Sequence, residues 1–362
     1  MKLYVSKLYR SYFIRIGLAI TITMVSLYLA VRNISLQDVG EALKQADYRF
    51  VVLALISVGI NTVAKAARWK VLIGSRNHRV SFYQVQKSLL IGHALNILYP
   101  GRIGDLNRAY DIGGKGPGRT FVLGTVALEK VIDLLSYAVL FMVLLLLIPL
   151  PGWVSNSGYT FAIAAIMVSI AVFLVTHQRT LVIKIVEQVT SRFPKQVQTF
   201  TNTRVRAGSA SLDVLQHNTS LLILGFWSAV VWGTAILNNH LTLLAFDIHL
   251  PLTASLLILI ALQAGISIPS APGRFGIFEY ICVLALGVFG IDQATAFSYG
   301  ILLHAIVLLP ATILGLFFFA TSGTSRADLR TQTATGEEGS ENPPDKVKNS
   351  SSSSHLEKSE GI

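Results

Sequence analysis

Two short stretches share one pattern and determine how the chain is organised: PGRIGDLNR at residues 100–108 and PGRFGIFE at residues 272–279. In each of these PGR motifs, a proline, a glycine and an arginine are followed by an apolar residue and a second glycine. Proline lacks a backbone N–H and ends a helix, whereas glycine permits tight turns and close backbone approach. Each motif therefore predicts a break between two helices.

The sequence around both motifs is typical of a membrane protein. Of its 362 residues, 52% are hydrophobic and 14% are charged, and the mean hydropathy is +0.58. These values lie outside the range of ordinary soluble domains. A hydrocarbon core of about 30 Å requires roughly 20 predominantly apolar residues per spanning helix. Six runs meet this requirement and are predicted to cross the bilayer: 12–31, 50–67, 134–150, 159–176, 221–246 and 295–320.

Two further apolar segments adjoin the PGR motifs. Residues 88–99 are too few to cross a bilayer, so this segment and the motif after it predict a re-entrant hairpin that enters from the cytoplasm. The arms 252–268 and 275–289, joined through the second motif, fit either a hairpin or two short full spans. The predicted fold class is an all-α polytopic membrane protein with six full spans plus two re-entrant hairpins, or with eight spans.

Lysine and arginine are concentrated in alternate loops. The stretches 65–119 and 177–218 hold ten and six of the 30 lysines and arginines, and the net charge is +11. Short cytoplasmic loops collect positive charge, so both stretches and both termini are predicted to be cytoplasmic. Cations in alternate loops indicate orientation and contact with anionic lipids, so no nucleic-acid partner is expected.

If both segments are hairpins, each half of the chain contains two spans, a hairpin and a third span, and the halves enter the membrane from opposite sides. This is an inverted-topology repeat, the arrangement in which secondary transporters bind substrate near the bilayer midplane. Broken backbone at membrane depth is tolerated only where it is buried in protein or lines a wet cavity. The residues predicted to form the breaks are Asn96, Pro100, Gly101 and Gly104 in one half and Pro272, Gly273 and Gly276 in the other.

An arginine lies at the break in each motif. A helix that begins just after the break would direct its N-terminal N–H groups toward Arg102 or Arg274, and together these groups predict a site for a lipid phosphate. Arg102 also fits a second interpretation, as one more cation of a cytoplasmic loop. Arg274 lies between apolar segments, and Glu279 lies inside an apolar run, where an unpaired charge is costly. Both are therefore predicted to be paired or functional.

A second group of charges follows the first motif. Glu129 and Asp133 share a helix face, and Lys130 is spaced to pair with Asp133. Two acids on one face require a cation or water, and Arg102 or Arg274 could provide the cation. Alternatively, this turn lies at the cytoplasmic interface.

The chain offers no sign of a cofactor. Cys282, the single cysteine, lies in an apolar run, which leaves no cysteine-based metal site. No P-loop and no GxGxxG motif is present. Residues 1–320 form the predicted membrane-embedded domain, and residues 321–362, which have almost no large apolar side chains, predict a disordered cytoplasmic tail. Neither a metal nor a cofactor is predicted, and no residue is assigned as catalytic.

Three stretches carry a family resemblance: NILYPGRIGDLNRAY at 96–110, LEKVIDLL at 128–135 and SIPSAPGRFGIFEY at 267–280. They resemble the lysylphosphatidylglycerol synthase transmembrane-region family, the flippase-like membrane domains of the multiple peptide resistance factor type. The resemblance extends over residues 12–320. It implies substrate-binding roles for Arg102, Asp105, Arg108, Glu129, Lys130, Asp133, Arg274 and Glu279.

Two positions depart from the family pattern. Lys130 stands where arginine is commoner, and Arg274 stands where glycine is commoner. Lysine cannot make the planar two-pronged contact that a guanidinium makes with phosphate, so recognition of the lipid headgroup is expected to differ from that of the type member.

The resemblance implies an inner-membrane protein of bacteria or archaea that translocates lipid. The expected substrate and partner is a membrane lipid, either an anionic phospholipid or a polyprenyl-phosphate-linked lipid, moved passively or with an ion gradient. A soluble aminoacyl-transfer domain is not seen, so synthesis of lysylphosphatidylglycerol is not expected. Two alternatives remain open: an intramembrane transferase acting on headgroups, with Glu129 or Asp133 as general base, and a non-catalytic membrane partner of a separately encoded glycosyltransferase or synthase.

Cysteine labelling tests the inverted repeat. In a chain lacking Cys282, Gly101→Cys is expected to react with a membrane-impermeant thiol reagent from the cytoplasmic side and Gly273→Cys from the outside, because the two hairpins enter from opposite faces. Labelling of both positions only from the cytoplasm would replace the repeat with eight ordinary spans.

Overall fold

The computed structural model describes residues 20–32, 34–74, 80–99, 102–147, 187–192, 194–265 and 271–322, together with the single residues 163, 167 and 184. Helices dominate these residues. In chain order they are α1 (Ile20–Val31), α2 (Leu36–Gln45), α3 (Tyr48–Gly74), α4 (Phe82–Leu98), α5 (Ile103–Gly113), α6 (Arg119–Leu147), α7 (Lys195–Ser209), α8 (Asn218–Ala245), α9 (Leu252–Gly265), α10 (Ile277–Gly287) and α11 (Gln293–Thr321). Two 3₁₀ turns, Ala210–Gln216 and Pro272–Arg274, precede α8 and α10.

Four of these helices, α3, α6, α8 and α11, are long and apolar enough to cross a membrane. They contain 27 to 29 residues, which corresponds to about 40 Å of helix against a hydrocarbon core of about 30 Å. Large apolar side chains are exposed on their outer faces, such as Leu146 at 83% and Leu222 at 76%. Such faces suit contact with lipid tails rather than water, so the predicted all-α polytopic membrane fold is confirmed.

The predicted spans correspond unevenly to these helices. The spans at 50–67, 134–150, 221–246 and 295–320 lie within or along α3, α6, α8 and α11. The span at 12–31 is described only from Ile20 onward, as α1. The span at 159–176, Pro100 and Gly101 lie outside the described residues, as does the predicted tail beyond residue 322. The division at residue 320 stays a prediction.

The predicted end of the span at 50–67 is wrong. The helix predicted to end at residue 67 continues to Gly74, so Lys65, Arg68 and Lys70 belong to α3 and not to a cytoplasmic loop. Arg68 is only 1% exposed. Polar residues at one end of an apolar run are read as loop when only the run length is considered, although the helical backbone continues through them.

The PGR motifs join pairs of short helices. Helices α4 and α5 pack against each other, and so do α9 and α10. These arms contain 17, 11, 14 and 11 residues, or about 25, 16, 21 and 16 Å of helix, each less than the hydrocarbon thickness of about 30 Å. The lengths favour hairpins over eight full spans.

Contacts between the two halves follow the pattern that a two-fold repeat predicts. The second spans of the halves, α3 and α8, pack on each other, and Asn61 on α3 donates a hydrogen bond to the carbonyl oxygen of Val231 on α8 at 2.6 Å. The third span of each half reaches the hairpin of the other half. The hydroxyl of Tyr137 on α6 donates to the carbonyl of Ile260 on α9 at 3.0 Å, and Gly315 on α11 lies against Leu90 on α4.

The arms of the first hairpin touch at two glycines. A methyl group on Gly104 would lie 1.8 Å from the carbonyl oxygen of Gly92. Gly104→Ala is therefore expected to lower the free energy of unfolding by about 1–3 kcal/mol, because the arms must separate. Gly233→Ala on α8 is the control, since no atom lies within 4 Å of the added carbon. Thermal unfolding in detergent measures both, and equal melting temperatures would contradict the close approach.

Candidate functional site

Both motif arginines adopt the same unusual backbone conformation. Arg102, which precedes α5, has φ of 56°, and Arg274 has φ of 60°. Gly273 and Gly276, at 75° and 83°, make the rest of the second break. The left-handed region costs a residue other than glycine about 1–2 kcal/mol. The predicted break is therefore present at both motifs, with an arginine at the strained position each time.

Asn96 ties the first break to the helix before it. Its Oδ1 accepts a hydrogen bond from the backbone N–H of Gly104 at 2.8 Å, and its Nδ2 donates to Oδ1 of Asp105 at 3.2 Å. Asn96 is on α4, whereas Gly104 and Asp105 open α5. The amide thus supplies partners to a backbone group and a carboxylate that the break would otherwise leave unpaired, which supports the structural role predicted for it.

Arg108 is buried between three elements. Its guanidinium pairs with the carboxylate of Glu129 on α6 and lies over the indole ring of Trp69 on α3, 3.9 Å from the ring centroid. Asp105 lies further away, at 3.7 Å from Arg108. Three of the residues predicted to bind substrate are therefore gathered in one network, but they contact one another.

Asp133 is paired with Arg68, one of the cations predicted to lie in a cytoplasmic loop. Nη2 of Arg68 lies 2.6 Å from Oδ1 of Asp133, and Nη1 of Arg68 donates to the hydroxyl of Ser228. The expectation that Arg102 or Arg274 provides the cation for Glu129 and Asp133 is corrected: Arg108 and Arg68 do so. Lys130, the other proposed partner of Asp133, has an exposed side chain.

Glu279 holds the second break and contacts the last span. One oxygen accepts the backbone N–H of Gly276 at 2.6 Å, and the other lies 2.7 Å from Nδ1 of His304 on α11. The imidazole of His304 stacks on Phe278 with ring centroids 4.2 Å apart. Glu279 is thus a paired acid, with His304 as its partner.

A cavity of about 300 Å³ lies between the two hairpins and the long helices. Most of its wall is apolar, with side chains such as Leu89, Leu259 and Ile281. Polar groups from six elements also face it. They are Asn61 and Lys65 on α3, His93 on α4, Asp133 on α6, Asn238 and Asn239 on α8, Gln263 on α9, and Arg274. An apolar cavity with a few converging polar groups is the usual form of a ligand site.

Two of the predicted substrate-binding residues, Asp133 and Arg274, line this cavity. The turn Pro272–Arg274 of the second motif contacts α4, the helix that leads into the first motif. Among the residues described, Asp105, Arg108, Glu129, Lys130 and Glu279 do not line the cavity. They surround it as paired or exposed groups.

The cavity also contains cations and amides that sequence reasoning missed. Lys65 and His93 face it from α3 and α4, and Asn61 and Gln263 add two amides. Lys65 could have been found from its spacing, since it lies one helical turn before Arg68 at the end of an apolar run. His93 carried no such signal, because a single histidine in an apolar segment is more often a packing residue.

These features define an all-α membrane protein with two broken hairpins around a charged internal cavity. The sequence pattern of the family described as "Lysylphosphatidylglycerol synthase TM region" matches residues 14–315, and the chain belongs to this family. It is similar to a UPF0104 membrane protein of Pyrococcus horikoshii, with 22% identity over 332 residues that cover 84% of this chain and 95% of the relative.

The buried pair of Arg108 and Glu129 can be tested by mutation. Their side chains are 5% and 6% exposed, so Glu129→Gln leaves a guanidinium buried without its counter-ion and is expected to lower the free energy of unfolding by about 3–5 kcal/mol. Asp111→Asn, which removes the exposed pair with Lys115, should cost less than about 1 kcal/mol. Denaturant unfolding in micelles compares them, and similar losses would show that the Glu129 pair is not desolvated.

Proposed function

We propose that this protein moves an anionic lipid, either an anionic phospholipid or a polyprenyl-phosphate-linked lipid, between the leaflets of the inner membrane. The observation that carries the proposal is the cavity between the two hairpins, with Lys65 and Arg274 in its wall and with the turn of the second motif packed against α4 of the first hairpin. Hairpin arms too short to cross leave their breaks within the thickness of the bilayer. A charged cavity at that depth is where secondary transporters hold their substrates.

The shape and chemistry of the cavity suit an amphiphile. Apolar side chains of α4, α9 and α10 can contact the start of an acyl or prenyl chain, and the cations can contact a phosphate. Charged groups inside a membrane protein are costly and commonly mark a substrate pathway. The chain belongs to a family of membrane proteins, which is in keeping with this activity. In the proposed orientation, both termini lie in the cytoplasm.

Headgroup transfer is less well supported. A general base takes up the proton it removes, and a proton on Glu129 or Asp133 would neutralise the counter-ion of Arg108 or Arg68. Breaking either pair would expose a buried guanidinium charge. Association with a separately encoded glycosyltransferase or synthase remains compatible with lipid movement, since such an enzyme would use the lipid on one leaflet.

Reconstitution tests the proposal. Vesicles containing the purified full-length chain and fluorescent phosphatidylglycerol are treated with an impermeant quencher, and the fraction that becomes accessible over time reports movement between leaflets. The wild-type chain is expected to raise this rate well above that of empty vesicles. Arg274→Ala should reduce it at least about tenfold, since a charged hydrogen bond to the headgroup is worth roughly 1.5–3 kcal/mol.

Arg49→Ala provides a matched control, because Arg49 is an exposed arginine at the start of α3, and its rate should equal that of the wild type. Two results would overturn the proposal. Equal rates in protein-containing and empty vesicles would exclude lipid movement, and unchanged lipid asymmetry with a chemically altered headgroup would support the transferase instead.

A further inference from the structure

The charges around the cavity do not cancel. Its wall contains two basic side chains, Lys65 and Arg274, and one acid, Asp133. Asp133 already pairs with Arg68 at 2.6 Å, and the neighbouring Glu129 pairs with Arg108. These two carboxylates of α6 therefore each have a buried arginine as partner. Among the residues described, Lys65 and Arg274 are left as excess positive charge on the cavity wall.

These cations converge with an imidazole from a third element. Lys65, His93 and Arg274 all line the cavity, and Nε2 of His93 is buried without a hydrogen-bond partner among the described residues. Lys65 comes from α3, His93 from α4 and Arg274 from the second motif. A lysine ammonium, a guanidinium fork and an imidazole nitrogen around one space form a site for a phosphate.

A second set of polar atoms lies in the same cavity. Nε1 of Trp232 and Oδ1 of Asn238 are buried and have no hydrogen-bond partner within the described part of the chain, and both residues line the cavity, as do Asn61 and Gln263. One orphaned atom is a donor and the other an acceptor. A hydroxyl group both donates and accepts, so a ligand with several hydroxyls can satisfy the indole and the amide together.

The chemistry of the wall also excludes a class of headgroup. An ammonium group on the ligand would need a counter-charge, and the one carboxylate in the described wall, that of Asp133, is already balanced by Arg68. It would also meet the charges of Lys65 and Arg274. A lipid whose headgroup ends in an amino acid, such as the one in the family's name, is therefore disfavoured by repulsion.

We infer that the cavity binds a lipid phosphate whose headgroup ends in an uncharged polyol, and that it selects against aminoacylated and zwitterionic lipids. Lys65, His93 and Arg274 bind the phosphate, and Trp232 and Asn238 bind the hydroxyls. This inference rests on the lipid-transport function proposed above and specifies the substrate class of the same site.

Equilibrium binding tests the inference without requiring transport. The full-length chain in detergent is titrated by calorimetry with four short-chain lipids: phosphatidylglycerol, its lysyl ester, phosphatidylcholine and phosphatidic acid. Phosphatidylglycerol should bind at least about tenfold more tightly than the lysyl ester or phosphatidylcholine, since one like-charge or unmet polar contact at a buried site has about this effect. Equal or tighter binding of the lysyl ester would overturn the inference.

Variants separate the two parts of the site. Lys65→Gln and Arg274→Gln should each weaken binding of phosphatidylglycerol by about tenfold to a hundredfold, the range for a lost charged hydrogen bond. Lys195→Gln, at an exposed lysine on α7, should leave it unchanged. Asn238→Ala should weaken binding of phosphatidylglycerol but not of phosphatidic acid, which has no polyol. Equal effects on both lipids would overturn the assignment of the hydroxyl contacts.

Two further comparisons distinguish a lipid phosphate from a soluble one and separate the binding site from the transport function. Soluble glycerol phosphate should bind at least about tenfold more weakly than the short-chain lipid, because the apolar wall then has no partner. Equal affinity would identify a water-soluble ester instead and overturn the lipid assignment. Selective binding without movement between leaflets would contradict the transport function and keep this site. Movement of lipid between leaflets without headgroup selectivity in binding would contradict this site and keep the transport function.

Discussion

Two carboxylates on α6 hold the first half of the protein together. Glu129 and Asp133 lie one turn apart and bind Arg108 of α5 and Arg68 of α3. Neither guanidinium could remain at its depth without a counter-ion, because an isolated buried charge costs several kcal/mol. The position of α6 therefore fixes the first hairpin against α3. The cavity keeps the positive charge of Lys65 and Arg274 because the two acids pair with Arg68 and Arg108 instead.

The second half uses a different device at the corresponding place. Its hairpin contacts the third span through Glu279 and His304, and the carboxylate of Glu279 also caps the first backbone N–H after the break. The first hairpin is secured by guanidinium–carboxylate pairs, whereas the second is secured by a contact between an imidazole and a carboxylate. The halves share a pattern of packing but differ in the chemistry that secures each hairpin.

The sequence predicts the long helices well, because an apolar run of about 20 residues has few other stable fates in a bilayer. The proline and glycine breaks follow from backbone chemistry in the same way. The ion pairs could not be predicted. Arg68 lies just beyond an apolar run, where loop and helix look alike, and the choice among several cations for Glu129 depends on packing between helices far apart in the chain. Lys65 and His93 face the cavity for the same reason, and only the packing of α3 and α4 brings them to Arg274.

The left-handed backbone at Arg274 has a consequence for the stability of this chain. Glycine adopts such a conformation without steric penalty, so glycine would be the more stable residue at position 274. An arginine at this φ of 60° gives up about 1–2 kcal/mol of conformational energy. Under the proposed function, the guanidinium that binds the phosphate is therefore held at a cost in stability, and glycine at this position would give a more stable chain without that binding group.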